Sequence, residues 1–181
     1  GTQQLEVYYD AKDLTAMPST VTDLAGGDQN GTVTGATLDE TGGIESFNFD
    51  GSNDIIQGTF SGHTVSSGYT MATWIKPGTI GDDDYIATFG VGNTGTSIGI
   101  NFETIGGAFR AFVWGSGLSS AVAQTSDNVV HKDQWVHVAA TFISSGGIIN
   151  LYINNKLAAT GSGTTLSSIS ASAPLVLGAR N

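Results

Sequence analysis

The sequence predicts an all-β chain, folded as a sandwich or a barrel, and three observations carry that reading. Apolar residues alternate with polar ones along nearly every apolar run, the period-two pattern of strands with one buried face. About a dozen such runs are separated by Gly, Ser, Asn and Asp, which turn a chain sharply. The 181 residues include 26 glycines and only 3 prolines, so frequent, tight turns are expected. Helical patterns are weak throughout.

The elements follow in order. Residues 11–24, "AKDLTAMPSTVTDL", hold a proline and three threonines and read as loop with at most one helical turn. In "FNFDGSNDII", residues 47–56, Asp50, Asn53 and Asp54 crowd together as either a calcium loop or a turn between two strands. An EF-hand loop needs alternating oxygen ligands, a central glycine and a terminal glutamate. None of that series is present, so the stretch reads as a turn whose Asp and Asn side chains bond nearby backbone N–H groups. "YTMATWIKP", residues 69–77, is a strand stopped by its proline. "SIGINFE" and "AFRAFVWG" form a hairpin with residues 104–107 as its loop. "WVHVAATF" sets Val136, Val138, Ala140 and Phe142 on one face. "INLYINNKLAAT" sets Ile149, Leu151 and Ile153 against Asn150, Tyr152 and Asn154, and Asn154-Asn155 suits a two-residue hairpin turn with positive φ. The Ser/Gly/Thr-rich residues 160–173 read as weak strand plus loop before the strand "PLVLG".

Composition narrows the function. One domain over residues 1–181 is expected, with enough apolar residues for a sizeable core. The net charge is −10, with 6 basic residues against 16 acidic, so neither nucleic acid nor an anionic membrane surface suits as a partner. Excess carboxylate permits cation binding. The absence of cysteine rules out disulfides, thiolate zinc sites and cysteine nucleophiles. No apolar run is long enough for a membrane span. No signal peptide is visible, and "GTQQ" reads as a trimmed start.

Taken in order, "LEVYYDAKD", "DLAGGDQNGTVTGAT", "SFNFDGSNDII", "YTMATWIKP", "QWVHVAATF", "INLYINNKLAATG" and "PLVLGARN" resemble the laminin-G-like, concanavalin A-like jelly-roll superfamily, which includes pentraxins. The flavour is similar to modules of bacterial surface proteins and of phage or viral structural proteins. The resemblance covers nearly the whole chain. It implies a two-sheet antiparallel jelly-roll sandwich, with Phe47 and Phe49 in a core strand and Trp74 and Trp135 in core or rim packing. Such domains usually add a last strand beside the N-terminal one, so the stop at Asn181 implies an open sheet edge able to pair with another chain.

Calcium is the candidate cofactor, since laminin-G-like folds often carry it. Asp23, Asp28 and Asn30 in "DLAGGDQNGT" supply three oxygens; the alternative is an ordinary glycine-rich loop. A pentraxin-type calcium site lacks its acids here, where Asn93 and Arg180-Asn181 stand instead. Asp82, Asp83 and Asp84 read as solvated carboxylates rather than a cation site.

The candidate ligand site is a strand face. Pairing Glu103 with Ala108 puts Asn101 opposite Arg110, Gly99 opposite Phe112 and Ser97 opposite Trp114. Ile98, Ile100, Phe102, Phe109, Ala111 and Val113 then face the core. The other face carries Asn101, Arg110, Phe112 and Trp114, aromatics beside an amide and a guanidinium as a sugar site requires. In the resembled superfamily this concave sheet often holds carbohydrate. The alternative is that the aromatics shield the opposite glycines or lie under a loop.

His63, His131 and His137 have no zinc-like spacing and read as packing or hydrogen-bonding residues. No strand carries the paired acids of a glycoside hydrolase, and no nucleophile elbow, metalloprotease motif or P-loop occurs, so the chain reads as non-catalytic. The expectation is a lectin-like module, extracellular or on a cell or virion surface, that recognises a glycan or glycosylated surface and carries structural calcium. The alternative is a virion or cell-surface structural subunit acting through protein contacts at its open edge.

Overall fold

The computed structural model describes residues 5–59, 68–81, 84–90, 97–102, 107–114, 121–143, 146–163 and 174–178. Fourteen strands and no helix occur among them. They are β1 (Thr20–Val21), β2 (Gly31–Thr34), β3 (Thr37–Asp39), β4 (Ser46–Asn48), β5 (Ile55–Thr59), β6 (Gly68–Ile75) and β7 (Tyr85–Gly90). The second half adds β8 (Ser97–Phe102), β9 (Phe109–Trp114), β10 (Ala121–Gln124), β11 (Val136–Ile143), β12 (Ile148–Ile153), β13 (Lys156–Ser162) and β14 (Pro174–Leu177).

All the ladders are antiparallel, as in a concanavalin A-like jelly-roll sandwich. One sheet of eight strands runs β1-β2-β5-β14-β7-β8-β9-β10, and a sheet of four runs β13-β12-β11-β6. The pair β3-β4 stands beside them.

Alternation decides what lies between the sheets. Val136, Val138, Ala140 and Phe142 of β11 are buried, and Ile149 and Leu151 of β12 join them. Phe109, Ala111 and Val113 of β9 meet this layer from the large sheet. Tyr69 stacks on Phe142 with ring centroids 4.4 Å apart. A second cluster forms around Val21, Ala36 and Ile56, with Tyr9, Phe47 and Phe49 packed on it.

The turns are those the side chains dictate. Asn154 and Asn155 take φ of 47° and 65° and close the β12–β13 hairpin, where Ile153 pairs with Lys156. Asp50 accepts the Ser52 N–H at 2.8 Å, and Asp54 accepts the Asp50 N–H at 3.0 Å, so "FDGSND" is a side-chain-bonded turn. Residues 11–24 hold no helix; Leu14 N–H bonds the Ala11 carbonyl in a turn, and Thr20–Val21 adds a short strand.

The strand "PLVLG" lies inside the large sheet, between β5 and β7, and the sheet's edge beside β2 is the two-residue β1. Among the described residues, eight-residue β6 is an outer strand of the four-stranded sheet. Trp74 is 62% exposed on the outer face of β6, not packed in the core or rim. Tyr69 and Met71 point inward from the same strand, so Trp74, three and five residues away from them, points out. Trp135 is half-buried.

Candidate functional site

The β8–β9 hairpin has the register that alternation predicts. Ser97 pairs with Trp114, Gly99 with Phe112 and Asn101 with Arg110. Its ladder ends at Phe102 and Phe109; Glu103 lies outside the described residues. Two neighbours widen the face. Tyr85 of β7 pairs with Asn101, and Gln124 of β10 pairs with Arg110, so Tyr85, Asn101, Arg110 and Gln124 form one row across four strands. Thr88, Gly99, Phe112 and Val122 form the next.

This face is not an open aromatic platform at Phe112, which is only 1% exposed. The physical reason lies opposite it. Gly99 leaves a gap in the sheet surface, and the Phe112 ring fills it: a Cβ on Gly99 would lie 2.6 Å from Phe112 Cζ. Tyr85 closes over the ring edge-on, centroids 5.9 Å apart and planes at 88°. Thr88 in the same row is also buried.

Arg110 is 8% exposed, and its guanidinium carbon lies 5.9 Å from the Phe112 ring centroid. That separation is within cation–π reach, so the buried ring supports the charge rather than stacking on a ligand. The backbone register puts Asn101 and Trp114 on the same face. Their side chains lie outside what is described.

The loop of Asp23, Asp28 and Asn30 has a different role from the one expected. Asp23 is buried, and its carboxylate accepts four backbone N–H bonds, from Tyr8 and Ala25 on Oδ1 and from Gly27 and Gln29 on Oδ2. Asn30 Oδ1 accepts the Asp23 N–H at 2.8 Å. Asp28 is exposed, at φ 57°. Four N–H dipoles with their positive ends on one carboxylate satisfy it and disfavour a cation there. The donor set does not fit calcium. Among the described residues no group of three or more His, Cys, Asp or Glu side chains could hold a metal ion. Burial raises the Asp23 pKa, but the N–H bonds from Tyr8, Ala25, Gln29 and Gly27 lower it by more, so the carboxyl sits below its ordinary value. Asp82 and Asp83, Asn93 and Arg180-Asn181 lie outside the described residues, while Asp84 accepts the Gly81 N–H.

Tyr9, which alternation alone does not single out, ties this loop to the sheet. Its hydroxyl donates to the Gln29 carbonyl, and its ring covers Gly31 and Gly58. Burial, helped by the nearby Asp23 charge, pushes the phenol up to about 12. Of the histidines, His131 is exposed, and His137 is half-buried with its ring 5.3 Å from Trp74 in an edge contact. His63 lies outside the described residues.

The family model described as the concanavalin A-like lectin/glucanases superfamily, a laminin G type, matches residues 49–181. The chain belongs to this superfamily. A search of the curated proteins finds no match. Among solved structures, the concanavalin A-like sandwich is similar to domain 4 of AbnA, an extracellular GH43 arabinanase from Geobacillus stearothermophilus, in complex with arabinotriose. The TM-score is 0.67 at 18% identity, covering 98% of this chain and 84% of that one. It is also similar to the binding domain of botulinum neurotoxin DC in complex with SialylT, with a TM-score of 0.64, 17% identity and 95% of this chain covered. A botulinum neurotoxin type C structure, whose cell entry depends on interaction with two ganglioside molecules, matches with a TM-score of 0.57 at 17% identity over 94% of this chain. The chain spans 43% and 41% of those two toxin chains. Likeness at these identities establishes the shared sandwich.

Proposed function

We propose that the protein is a non-catalytic glycan-binding module acting at an extracellular or other external surface, and that the large sheet's outer face binds the sugar through Arg110, Asn101 and Trp114. The observation that carries this is the Arg110–Phe112 pair. A guanidinium held in place by a buried ring, in register with an amide on one neighbouring strand, is a fixed group of polar side chains of the kind that orients a sugar. Phe112 supports Arg110, and Trp114 on the same strand is the aromatic left to stack on a pyranose C–H face. Two findings support the ligand class. The arabinanase domain, similar over 84% of its own length, is recorded with arabinotriose, and the two toxin structures concern SialylT and gangliosides.

The non-catalytic part of the reading has its own support. Hydrolysis of a glycosidic bond uses two carboxylates about 5–9.5 Å apart. Beside Arg110 itself, its two described rows hold Tyr85, Asn101, Gln124, Thr88, Gly99, Phe112 and Val122, none of them an acid. Calcium is not assigned to the Asp23–Asn30 loop.

The test is a glycan array on the purified protein, run in calcium and again in EDTA, beside Trp114→Ala. The expected outcome is a selective hit that Trp114→Ala loses while its melting temperature stays within about 2 °C of the parent. A hit lost in EDTA would bring a calcium into the site. A blank array, or a Trp114→Ala protein that unfolds, would overturn this site.

A further inference from the structure

The four-stranded sheet has an outer face as well, and it carries the largest exposed aromatic among the described residues. Trp74 on β6 stands beside His137 on β11, whose ring edge fixes the indole at 5.3 Å and 61°. His137 is itself anchored: its N–H donates to Asn154 Oδ1, and its carbonyl accepts the Asn154 N–H. The next row along the strands is Ala72, Ala139, Tyr152 and Leu157. The two alanines form a low shelf beside the indole, flanked by the His137 ring on the Trp74 side. Tyr152 is two strands over and two residues along, about 12 Å away by ordinary sheet spacings. The row beyond is Thr70, Thr141, Asn150 and Thr160, with the Thr160 hydroxyl donating to Asn150 Oδ1 at 3.0 Å.

Charge identifies the occupant. The chain carries −10, yet no outward position of β6, β11 or β12 is Asp, Glu, Lys or Arg. A surface that pairs flat rings and methyl groups with a row of hydroxyls and an amide matches a neutral polymer whose own faces alternate C–H and O–H. An exposed tryptophan on a bare alanine shelf is also the kind of patch that marks a binding surface.

We infer that this outer face is a second binding surface, for a neutral polysaccharide chain lying across the strands from Trp74 to Tyr152. It rests on the glycan-binding reading for its ligand class alone; the surface and its residues are separate from the Arg110 face.

The experiment is affinity electrophoresis in gels cast with arabinan, xylan, galactan or β-glucan, comparing the parent with Trp74→Ala, Trp74→Phe and Trp114→Ala. At least one gel is expected to retard the parent. Trp74→Ala should weaken that binding about tenfold, and Trp74→Phe should retain most of it. The melting temperature should not move, because the indole is exposed. Retardation of Trp74→Ala equal to the parent's overturns the inference, and loss in Trp114→Ala alone would leave the Arg110 face standing. A parent that binds array glycans but is retarded by none of the four gels likewise overturns the inference and spares the first site. If light scattering shows that the parent self-associates and Trp74→Ala does not, the face is a protein interface and the inference falls.

Discussion

At the scale of single residues, Asp23 shows how a count of oxygens misleads. Asp23, Asp28 and Asn30 have the composition of a calcium loop, but the chain wraps four N–H groups around Asp23 and uses Asn30 to hold its backbone. Whether an oxygen points at a cation or accepts an N–H depends on the backbone path, which spacing does not give. The lowered pKa has a signed consequence. A carboxyl whose folded pKa lies below its unfolded value of about 3.9 adds stability that is complete above that value and is lost as pH falls through the folded pKa. Asp23→Asn should therefore cost about 2 kcal/mol in urea denaturation at pH 7. The gap between parent and variant should narrow below about pH 4. An equal gap at pH 7 and pH 3 would mean that Asp23 contributes nothing as a charge.

At the scale of elements, alternation was a reliable guide to which face a side chain takes and a poor one to whether that face is covered. It placed Gly99 opposite Phe112 and Asn101 opposite Arg110, and both pairs stand. It also made Phe112 look exposed, whereas the ring lies down on Gly99 of the next strand and under the edge of Tyr85. Trp74 is the converse case. In "YTMATWI" the set Tyr69, Met71, Thr73 and Ile75 already separates from Thr70, Ala72 and Trp74, so its exposure was written in the strand's own period. The sandwich corner depends on another element contact. β13 presses onto β10 at Gly161, where a Cβ would lie 1.9 Å from the Val122 carbonyl oxygen. Backbone cannot step aside as a side chain does. Gly161→Ala should cost at least the upper end of the about 1–3 kcal/mol typical of overpacking, read as a lowered urea midpoint with an unchanged slope. A neutral substitution would show that the two strands are free to separate.

At the scale of the whole molecule, the order of strands makes the C-terminal part indispensable. β14 pairs with β5 on one side and β7 on the other, so it joins the strands around Ile56 to those that carry the candidate site. Leu175 and Val176 are buried within it. Removal of residues 174–181 should abolish the cooperative thermal transition seen by circular dichroism, rather than trim an edge. A truncated protein that still melts cooperatively would mean that the two sub-cores are separate folding units.

The sequence by itself determined the all-β class, the faces of the strands, the Asn154-Asn155 and Asp50 turns and the hairpin register, because each rests on neighbours two to four residues apart or on one short loop. It also determined the charge that disfavours nucleic acid. Only the tertiary structure decided that "PLVLG" sits inside a sheet, that Phe112 is covered, and that Asp23 spends its oxygens on backbone. Those outcomes depend on which distant segments lie against each other, and local periodicity carries no record of that.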